Sequence, residues 1–150
     1  MEPVEIEFKK GDLFNSTDEA LAHCVSKDLA MGAGIAKEFR KRFGKVEFLR
    51  QQQCNVGDVA YMDSWNKKAK TTQTLFYMVT KEKYYQKPTI RTVSKALRRL
   101  RYLIIEMGIT TLSMPMISTG LDQMSWPLVL QEIETAFYGS NVKITIWYLK

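Results

Sequence analysis

Apolar and charged residues alternate strictly over positions 4–9, which is the first clear pattern along the chain. The apolar members are Val4, Ile6 and Phe8. A two-residue period predicts a half-buried strand, which ends at Lys10-Gly11. Positions 20–25 form a short apolar run, and this predicts a second, buried strand.

Positions 59–62 and 75–79 are also strand-like. The stretch between them, 66–73, is polar and is typical of a hairpin loop. We therefore predict two antiparallel neighbours in this part of the chain.

Three segments have the spacing of a helix, with apolar residues three or four positions apart. The first contains Ile35, Phe39, Phe43 and Val46. The clearest follows Pro88 and ends before Gly108, where a C-terminal cap belongs; its apolar face is Val93, Ala96, Leu97, Leu100, Leu103, Ile104 and Met107. The third opens near Ser125 with Pro127 in its first turn, and its inner stripe is Val129, Leu130, Ile133, Ala136 and Phe137.

Further apolar strands are predicted at 111–117 and 142–149, on either side of the last helix. Strands thus alternate with helices through most of the chain. The 150 residues fit a single domain, residues 1–150. We expect an α/β fold in which helices sandwich a mixed, largely parallel central sheet.

The composition, 45% hydrophobic and 25% charged, is ordinary for a globular protein. No apolar run approaches the roughly 20 residues that span a bilayer, and the charged N-terminus does not resemble a secretory signal. Cys24 and Cys54 form no disulfide framework, and a single His23 provides no zinc set. We expect a reducing compartment, the nucleus or cytoplasm, with no membrane partner and no metal.

The net charge of +6 favours anionic partners such as nucleotides, nucleic acid or phosphorylated ligands. Much of this charge lies in two clusters, positions 37–45 and 95–101, both within predicted helices. Taken alone, each cluster is more typical of a solvated helix face.

Ligands of such folds gather where the carboxyl ends of strands lead into loops, and the first candidate loop is Met31-Gly32-Ala33-Gly34-Ile35-Ala36. Two glycines at this spacing let the backbone approach a ligand closely. The helix that follows points its positive end at the same place, which suits a diphosphate. Taken alone, the glycine pair is more typical of a plain tight turn.

The second loop runs from Pro115 to Asp122 and contains small hydroxyl residues and a glycine, which can bind phosphate oxygens. Asp122 precedes a helix, where an aspartate is often only a cap. In the third loop, Gly11-Asp12-Leu13, Asp12 can accept a hydrogen bond from a purine or cap a turn. Lys81 directly follows a predicted strand; most such lysines are solvated, but one facing a pocket can act as an amine nucleophile.

Eight short motifs carry a resemblance that runs from about Glu5 to Leu149. They are Lys10-Gly11-Asp12-Leu13-Phe14, Leu21-Ala22-His23-Cys24-Val25-Ser26, Met31-Gly32-Ala33-Gly34-Ile35-Ala36, Lys41-Arg42-Phe43-Gly44, Val79-Thr80-Lys81, Lys87-Pro88-Thr89, Leu112-Ser113-Met114-Pro115 and Gly120-Leu121-Asp122. In number, order and spacing they resemble the macro domain family. The resemblance is closest to the branch typified by terminal ADP-ribose protein glycohydrolases, also called O-acetyl-ADP-ribose deacetylases.

The resemblance implies a macro domain, a three-layer α/β/α sandwich that binds ADP-ribose and needs no cofactor. Asp12 and Leu13 would hold the adenine, and Ser26 would lie close to the distal ribose. One loop would wrap the diphosphate and distal ribose, with Gly32, Ala33, Gly34, Ile35 and Ala36. The other would close over the phosphates, with Pro115, Ile117, Ser118, Thr119, Gly120 and Leu121.

The resemblance also implies a catalytic pair. Lys81 matches the family lysine that attacks the anomeric carbon of the distal ribose and forms a covalent lysyl intermediate. Asp122 matches the aspartate that assists this attack and then resolves the intermediate. An amine and an acetal-like carbon can form such an adduct, and a carboxylate can carry the proton transfers.

The chain departs from its relatives in three places. His23-Cys24-Val25-Ser26 stands where many macro domains have an asparagine-rich motif, which favours the lysine-dependent branch. In the second loop that branch is expected to have an arginine and Gly-Cys-Gly, whereas this chain has Met116 and Ser118-Thr119-Gly120. The C-terminal Trp147-Tyr148-Leu149-Lys150 is bulky, and its relation to the adenine site stays open.

Three functions are compatible with the sequence. The leading hypothesis is an enzyme that removes terminal ADP-ribose from Glu and Asp side chains and deacylates O-acetyl-ADP-ribose. The others are a reader that binds ADP-ribose without turnover and a nucleic-acid module that uses the basic helices. We expect a monomer whose partners are ADP-ribose and ADP-ribosylated proteins, with ADP-ribosylated nucleic acid as a further partner.

Overall fold

The structure, a computed structural model, describes residues 2–149. Its strands are β1 (Glu5–Lys10), β2 (Ala20–Ser26), β3 (Val59–Asn66), β4 (Thr71–Lys81), β5 (Thr111–Pro115) and β6 (Lys143–Tyr148). Its helices are α1 (Gly34–Phe43), α2 (Val46–Arg50), α3 (Ile90–Glu106) and α4 (Trp126–Phe137), with a 3-10 turn at Leu13–Asn15. No helix of this described part is long and apolar enough to cross a bilayer.

The strands form one sheet in the order β1-β6-β5-β2-β4-β3. All neighbours are parallel except β3 and β4, which form the predicted hairpin. The mixed, largely parallel sheet is therefore confirmed. Its topology brings the carboxyl ends of β2, β4 and β5 to one edge, because β2 lies between the other two.

Both faces of the sheet are buried, and β4 illustrates why. Leu75 and Tyr77 pack into the core beneath α1 and α2, whereas Phe76 and Met78 pack into the core beneath α3 and α4. Successive side chains of a strand point to opposite faces, so a strand between two helical layers is apolar throughout. The predicted three-layer α/β/α sandwich is confirmed.

The clearest predicted helix is also the best defined. Thr89 caps α3 by accepting a hydrogen bond from the Thr92 N–H at 3.1 Å, and Gly108 follows its end with a φ of +69°. Between them, every predicted apolar position except Met107 is buried. Met107, 38% exposed, is the C-cap residue and follows the last helical turn.

The prediction of the first helix is wrong in one respect, because the observed helix α1 does not continue to Val46. It ends at Phe43 because Gly44 and Lys45 adopt left-handed φ values of +60° and +54°, and Val46 begins a separate helix, α2. Other differences are small: the strand predicted at 111–117 ends at Pro115, and the hairpin loop is shorter than predicted.

Candidate active site

A cavity of about 730 Å³ opens at the edge where β2, β4 and β5 end. Its size falls within the roughly 300–1,000 Å³ range of small-molecule sites. The predicted site residues that line it are Ser26, Gly32, Ala33, Gly34, Ile35, Ala36, Lys81, Pro115, Ile117, Ser118, Gly120, Leu121 and Asp122. Most of this wall therefore consists of residues that the sequence had indicated. Of the three candidate loops, two contribute to the wall.

Lys81 and Asp122 are in direct contact in the cavity. The Lys81 Nζ donates a hydrogen bond to the Asp122 Oδ1 at 2.7 Å, and the two side chains are 15% and 14% exposed. Lys81 is the last residue of β4, and Asp122 lies in the loop that follows β5. An amine and a carboxylate at this distance can exchange a proton while both remain open to a ligand.

The glycine loop is shaped to receive an anion. Gly34 has a φ of +59°, and a side chain at Gly32 would meet no atom within 4 Å. Helix α1 begins here, and its N-cap residue, Ala33, supplies no side-chain hydrogen bond to the first turn. The backbone N–H groups of that turn are thus available to an anion at the positive end of the helix dipole.

The second loop is held by its own hydrogen bonds. Ser118 has a φ of +62°, and its carbonyl accepts a bond from the Met124 N–H at 2.8 Å. The Thr119 hydroxyl donates to the Met116 carbonyl at 2.7 Å, which fixes the turn. Thr119 is the one predicted member of this loop outside the cavity lining.

Asp28 organises the cavity rim and was missed by sequence reasoning. Its carboxylate accepts hydrogen bonds from the Ser26 hydroxyl, from the Ala30 N–H at 3.2 Å and from the Tyr84 N–H at 3.1 Å. Burial opposes ionisation, but these bonds and the charge of Lys83 together hold the pKa of Asp28 below its ordinary value. The carboxylate thereby joins the loop after β2 to the loop after β4.

The loop between β4 and α3 also lines the cavity, through Tyr84, Tyr85, Gln86 and Lys87. The two tyrosines are 64% and 69% exposed, and their rings meet edge to face at 5.3 Å. The Lys87 ammonium donates to the Leu121 carbonyl and so connects this loop to the second loop. Two consecutive aromatic residues in a polar loop were the signal that could have identified them.

Asp12 and Leu13 lie outside the cavity lining. The Asp12 Oδ1 accepts a bond from the Phe14 N–H at 2.9 Å, so it caps the 3-10 turn, and its Oδ2 lies 3.9 Å from Arg42. Leu13 is buried in the core. Their assignment to the adenine stays a prediction.

The C-terminal segment is anchored by one tryptophan. Trp147 is buried, and its indole N–H donates to the Ser113 hydroxyl at 2.9 Å. Leu149 is exposed, and Lys150 lies outside the described residues. The bulky end of the chain therefore stabilises the junction of β5 and β6.

Two titratable groups of β2 are held neutral, and one of them, Cys24, lines the cavity. His23 is fully buried against the Phe39 ring at 3.6 Å, neither of its nitrogens has a hydrogen-bond partner, and burial lowers its pKa to about 3. Burial likewise raises the pKa of the Cys24 thiol to about 12. Among residues 2–149, no three His, Cys, Asp or Glu side chains lie close enough to hold a metal.

A six-stranded mixed sheet between helical layers, with glycine and hydroxyl loops around a cleft at its carboxyl edge, is the architecture of a macro domain. The Macro domain family matches residues 22–133, and the chain belongs to this family.

Individual relatives agree with this assignment. The human ADP-ribose glycohydrolase OARD1 is 39% identical over 145 residues, which cover 96% of this chain and 91% of that protein. The macrodomain of Mycobacterium tuberculosis DarG has a TM-score of 0.86 at 22% identity, over 98% of this chain and 99% of that one. Thermosipho africanus DarTG in complex with ADP-ribose has a TM-score of 0.78 at 18% identity, over 94% of this chain and 41% of that one. These two structures establish the shared fold.

Proposed function

We propose that this protein hydrolyses the ester between terminal ADP-ribose and a Glu or Asp side chain, through a lysyl-ADP-ribose intermediate. The contact of 2.7 Å between Lys81 and Asp122 carries the proposal, because it puts a nucleophile and a proton acceptor side by side in the cleft. The similarity to a human protein named ADP-ribose glycohydrolase supports it.

The ligand's diphosphate would lie against the backbone of Gly32 to Ala36, at the start of α1. Helix N-termini bind anions because their first N–H groups have no partner within the helix. The second loop faces this backbone, since Leu121 Cδ1 lies 3.5 Å from where a Gly34 Cβ would be. With the diphosphate between the two loops, the distal ribose would be next to Lys81, while Ser26 and Asp28 fix the opposite rim. A related macrodomain-containing protein, DarTG, has been solved with ADP-ribose, which supports this ligand.

The first step is attack by Lys81, once its ammonium has released a proton to solvent. The amine lone pair forms a bond to the anomeric carbon, and the bond from that carbon to the acceptor oxygen breaks. The electron pair leaves with the acceptor as a carboxylate. Asp122 takes the proton that the new amine cation sheds, which leaves a neutral lysyl adduct and a carboxylic acid.

The second step reverses these roles. Asp122 returns its proton to the Lys81 nitrogen, which makes the amine a leaving group. The resulting carboxylate takes a proton from a water molecule as that water attacks the anomeric carbon. ADP-ribose and the free amine are released, and Asp122 returns its proton to solvent.

Deacylation of O-acetyl-ADP-ribose belongs to the same proposal. An acetyl ester on the anomeric oxygen presents the same carbon to Lys81 and the same kind of leaving group, a carboxylate. The two steps above then release acetate with no further catalytic group.

The test compares Lys81→Ala with the wild type on a peptide ADP-ribosylated on glutamate. We expect release of ADP-ribose to fall by about 10³-fold or more, since the nucleophile is removed, while calorimetry gives an affinity for ADP-ribose within a few-fold of wild type. Lys27→Ala is the matched control, because Lys27 is a 43% exposed lysine beside Ser26 that pairs only loosely with Glu82 at 4.0 Å. Undiminished turnover in Lys81→Ala overturns the mechanism, and binding without any product from the wild type favours a reader.

A further inference from the structure

Strand β1 is an open edge of the sheet. It lies at one end of the strand order, next to β6, and all of its residues except Ile6 are exposed. The strand at the other end, β3, is covered at its centre, because the Gln52 side chain donates to the Tyr61 carbonyl at 2.8 Å and accepts from the Tyr61 N–H at 3.0 Å. Within residues 2–149 no side chain covers the outer edge of β1 in this way. An unpaired strand edge is a template for a further strand.

The backbone groups on this outer edge belong to the even-numbered residues. The Gly11 N–H donates to the Tyr148 carbonyl of β6 at 2.8 Å. Successive residues of a strand direct their N–H and C=O groups to opposite sides, so the odd-numbered residues of β1 face β6. The backbone groups of Ile6, Phe8 and Lys10 therefore point away from the sheet, where an added strand can bond them.

The charges of β1 are ordered along the strand. Glu5 and Glu7 come first, and Lys9 and Lys10 come last. A second copy of β1 that was parallel and in register would put like charges opposite each other, which is unfavourable. An antiparallel copy centred on Phe8 puts Glu7 opposite Lys9 twice, once on each side of the two-fold axis. The order of the charges thus favours one relative orientation of two copies.

The residue at the centre of that pairing is aromatic and exposed. Phe8 is 48% exposed, and its ring meets the Trp126 ring edge to face, with 6.4 Å between the centroids. In the antiparallel pair it lies directly opposite Phe8 of the second copy. Aromatic pairs across two strands stabilise a sheet. The pairing therefore covers apolar surface that a single copy leaves in water.

We propose that β1 is a self-association surface, through which a second copy of this chain pairs antiparallel about Phe8. The hydrogen-bonded pairs are Phe8 with Phe8 and Ile6 with Lys10, and Glu7 pairs with Lys9 between them. Two six-stranded sheets join into one continuous sheet. Because the contact uses one strand edge of each copy, we expect a weak dimer, and the monomer expected from the sequence is its dilute state.

The dimer leaves both clefts open. Each cleft lies at the carboxyl ends of β2, β4 and β5, and β6 separates β1 from these strands. Antiparallel pairing turns one copy end for end, so the two clefts open in opposite directions. The surface is therefore independent of the proposed function, and each can fail without the other.

Charge reversal at positions 7 and 9 tests the surface by sedimentation velocity. Protein is studied from about 5 to about 500 µM in about 50 mM salt, because higher ionic strength screens exposed charges. We expect a wild-type dimer whose fraction rises with concentration. Glu7→Lys and Lys9→Glu are each expected to raise the dissociation constant at least about 10-fold, because two attractive cross-strand pairs become two repulsive ones.

An equimolar mixture of the two single variants restores complementary charge. One copy then has lysine at both positions and the other has glutamate at both, so each opposed pair is attractive. We expect the mixture to associate more tightly than either variant alone. The mixture also controls for the lost contact between Glu7 and Lys143 at 3.4 Å, because that loss is the same in Glu7→Lys alone.

Glu47→Lys and Lys41→Glu are the matched controls, since they make the same reversals at exposed positions of α2 and α1. Neither is expected to change the dissociation constant. Urea unfolding confirms that each variant is folded.

Hydrogen exchange on the wild type needs no variant. The Phe8 and Lys10 N–H groups, which point outward, are expected to exchange more slowly as the dimer fills. Exchange of both groups that is independent of concentration overturns the proposal. So does a wild type that stays monomeric at the highest concentration, a dimer that survives both single reversals, or a mixture that does not associate.

Discussion

Lys81 and Asp122 are 41 residues apart in sequence, yet the Lys81 Nζ lies 2.7 Å from the Asp122 Oδ1. Lys81 ends β4 and Asp122 lies in the loop after β5; both strands flank β2 and run parallel to it, so their carboxyl ends reach the same cleft. The contact therefore follows from the sheet topology, and it defines the centre of the proposed chemistry.

Asp122→Asn should separate proton transfer from ligand binding. The amide has nearly the same size as the carboxylate but cannot take a proton from Lys81. We expect the single-turnover rate to fall by about 10²–10⁴-fold, the usual contribution of a general acid or base. Affinity for ADP-ribose, measured by calorimetry, should stay within a few-fold of wild type.

Glu134→Gln is the control for that experiment, because it makes the same chemical change at an exposed position of α4. A wild-type rate in Asp122→Asn would mean that Asp122 only orients Lys81.

The two glycines of the glycine loop, Gly32 and Gly34, should respond differently to alanine. Gly34 has a left-handed φ of +59°, so Gly34→Ala is expected to lower the free energy of unfolding by about 1–2 kcal/mol. Gly32 does not have a left-handed φ, and an added Cβ there would have no neighbour within 4 Å. Gly32→Ala should therefore change the free energy of unfolding by less than about 0.5 kcal/mol. Urea unfolding measures both values.

Gly32→Ala should nevertheless weaken ADP-ribose binding, because its methyl group would occupy the space through which the diphosphate approaches the backbone. Calorimetry on this stable variant tests the position of the ligand without interference from folding. An unchanged dissociation constant would mean that the diphosphate does not contact this loop at Gly32.

His23 should make stability depend on pH below neutrality. Burial lowers its pKa to about 3 in the folded chain, whereas an unfolded histidine has a pKa of about 6.5. The unfolded state thus binds a proton that the folded state excludes, so stability is full above pH 6.5 and declines as pH falls. Between pH 7.5 and 5.5 the free energy of unfolding should drop by about 1.4 kcal/mol from this group.

His23 is the single histidine of the chain, so His23→Phe should abolish that decline whatever the substitution costs in absolute stability. Urea unfolding at the two pH values measures the difference. An identical decline in His23→Phe would assign the effect to other groups.

Asp28 should hold the cavity rim together. Asp28→Ala removes the acceptor for the Ser26 hydroxyl and for the Ala30 and Tyr84 N–H groups, so we expect about 1–3 kcal/mol less stability and several-fold weaker ADP-ribose binding. The lowered pKa of Asp28 also sets the direction in which stability depends on pH. The stabilisation from Asp28 is present above its ordinary pKa of 3.8 and disappears as pH falls through its pKa in the folded state. Asp63→Ala, which removes a surface bond to Thr74, is the comparison. Equal effects on ligand binding would argue against a special role for Asp28.

Local patterns in the sequence predicted most of the fold. The apolar stripe of α3 and the buried runs of β2 and β4 each report which faces are covered, whereas Phe8, on the face of the first strand that was predicted to be buried, is 48% exposed. The break between α1 and α2 was missed, because it depends on left-handed backbone at Gly44 and Lys45, and a lysine gives no signal for that conformation.

The site was predicted less completely, and the misses share a cause. Lys81, Asp122 and the glycine loop occupy motif positions, so sequence located them. Asp28 contacts a loop 56 residues away, and Tyr84 reaches the cavity because Asp28 and Lys87 fix its loop. Such contacts arise from long-range packing that no local pattern encodes.

The most direct test of the account is detection of the covalent adduct on Lys81. Asp122→Ala would be incubated with a peptide ADP-ribosylated on glutamate, quenched in denaturant at neutral pH so that the adduct is not protonated and lost, and examined by intact-protein mass spectrometry and peptide mapping. We expect a mass increase of one ADP-ribose that maps to Lys81 and is absent from Lys81→Ala/Asp122→Ala. An adduct on another residue, or none in Asp122→Ala or in rapidly quenched wild type during turnover, would contradict it.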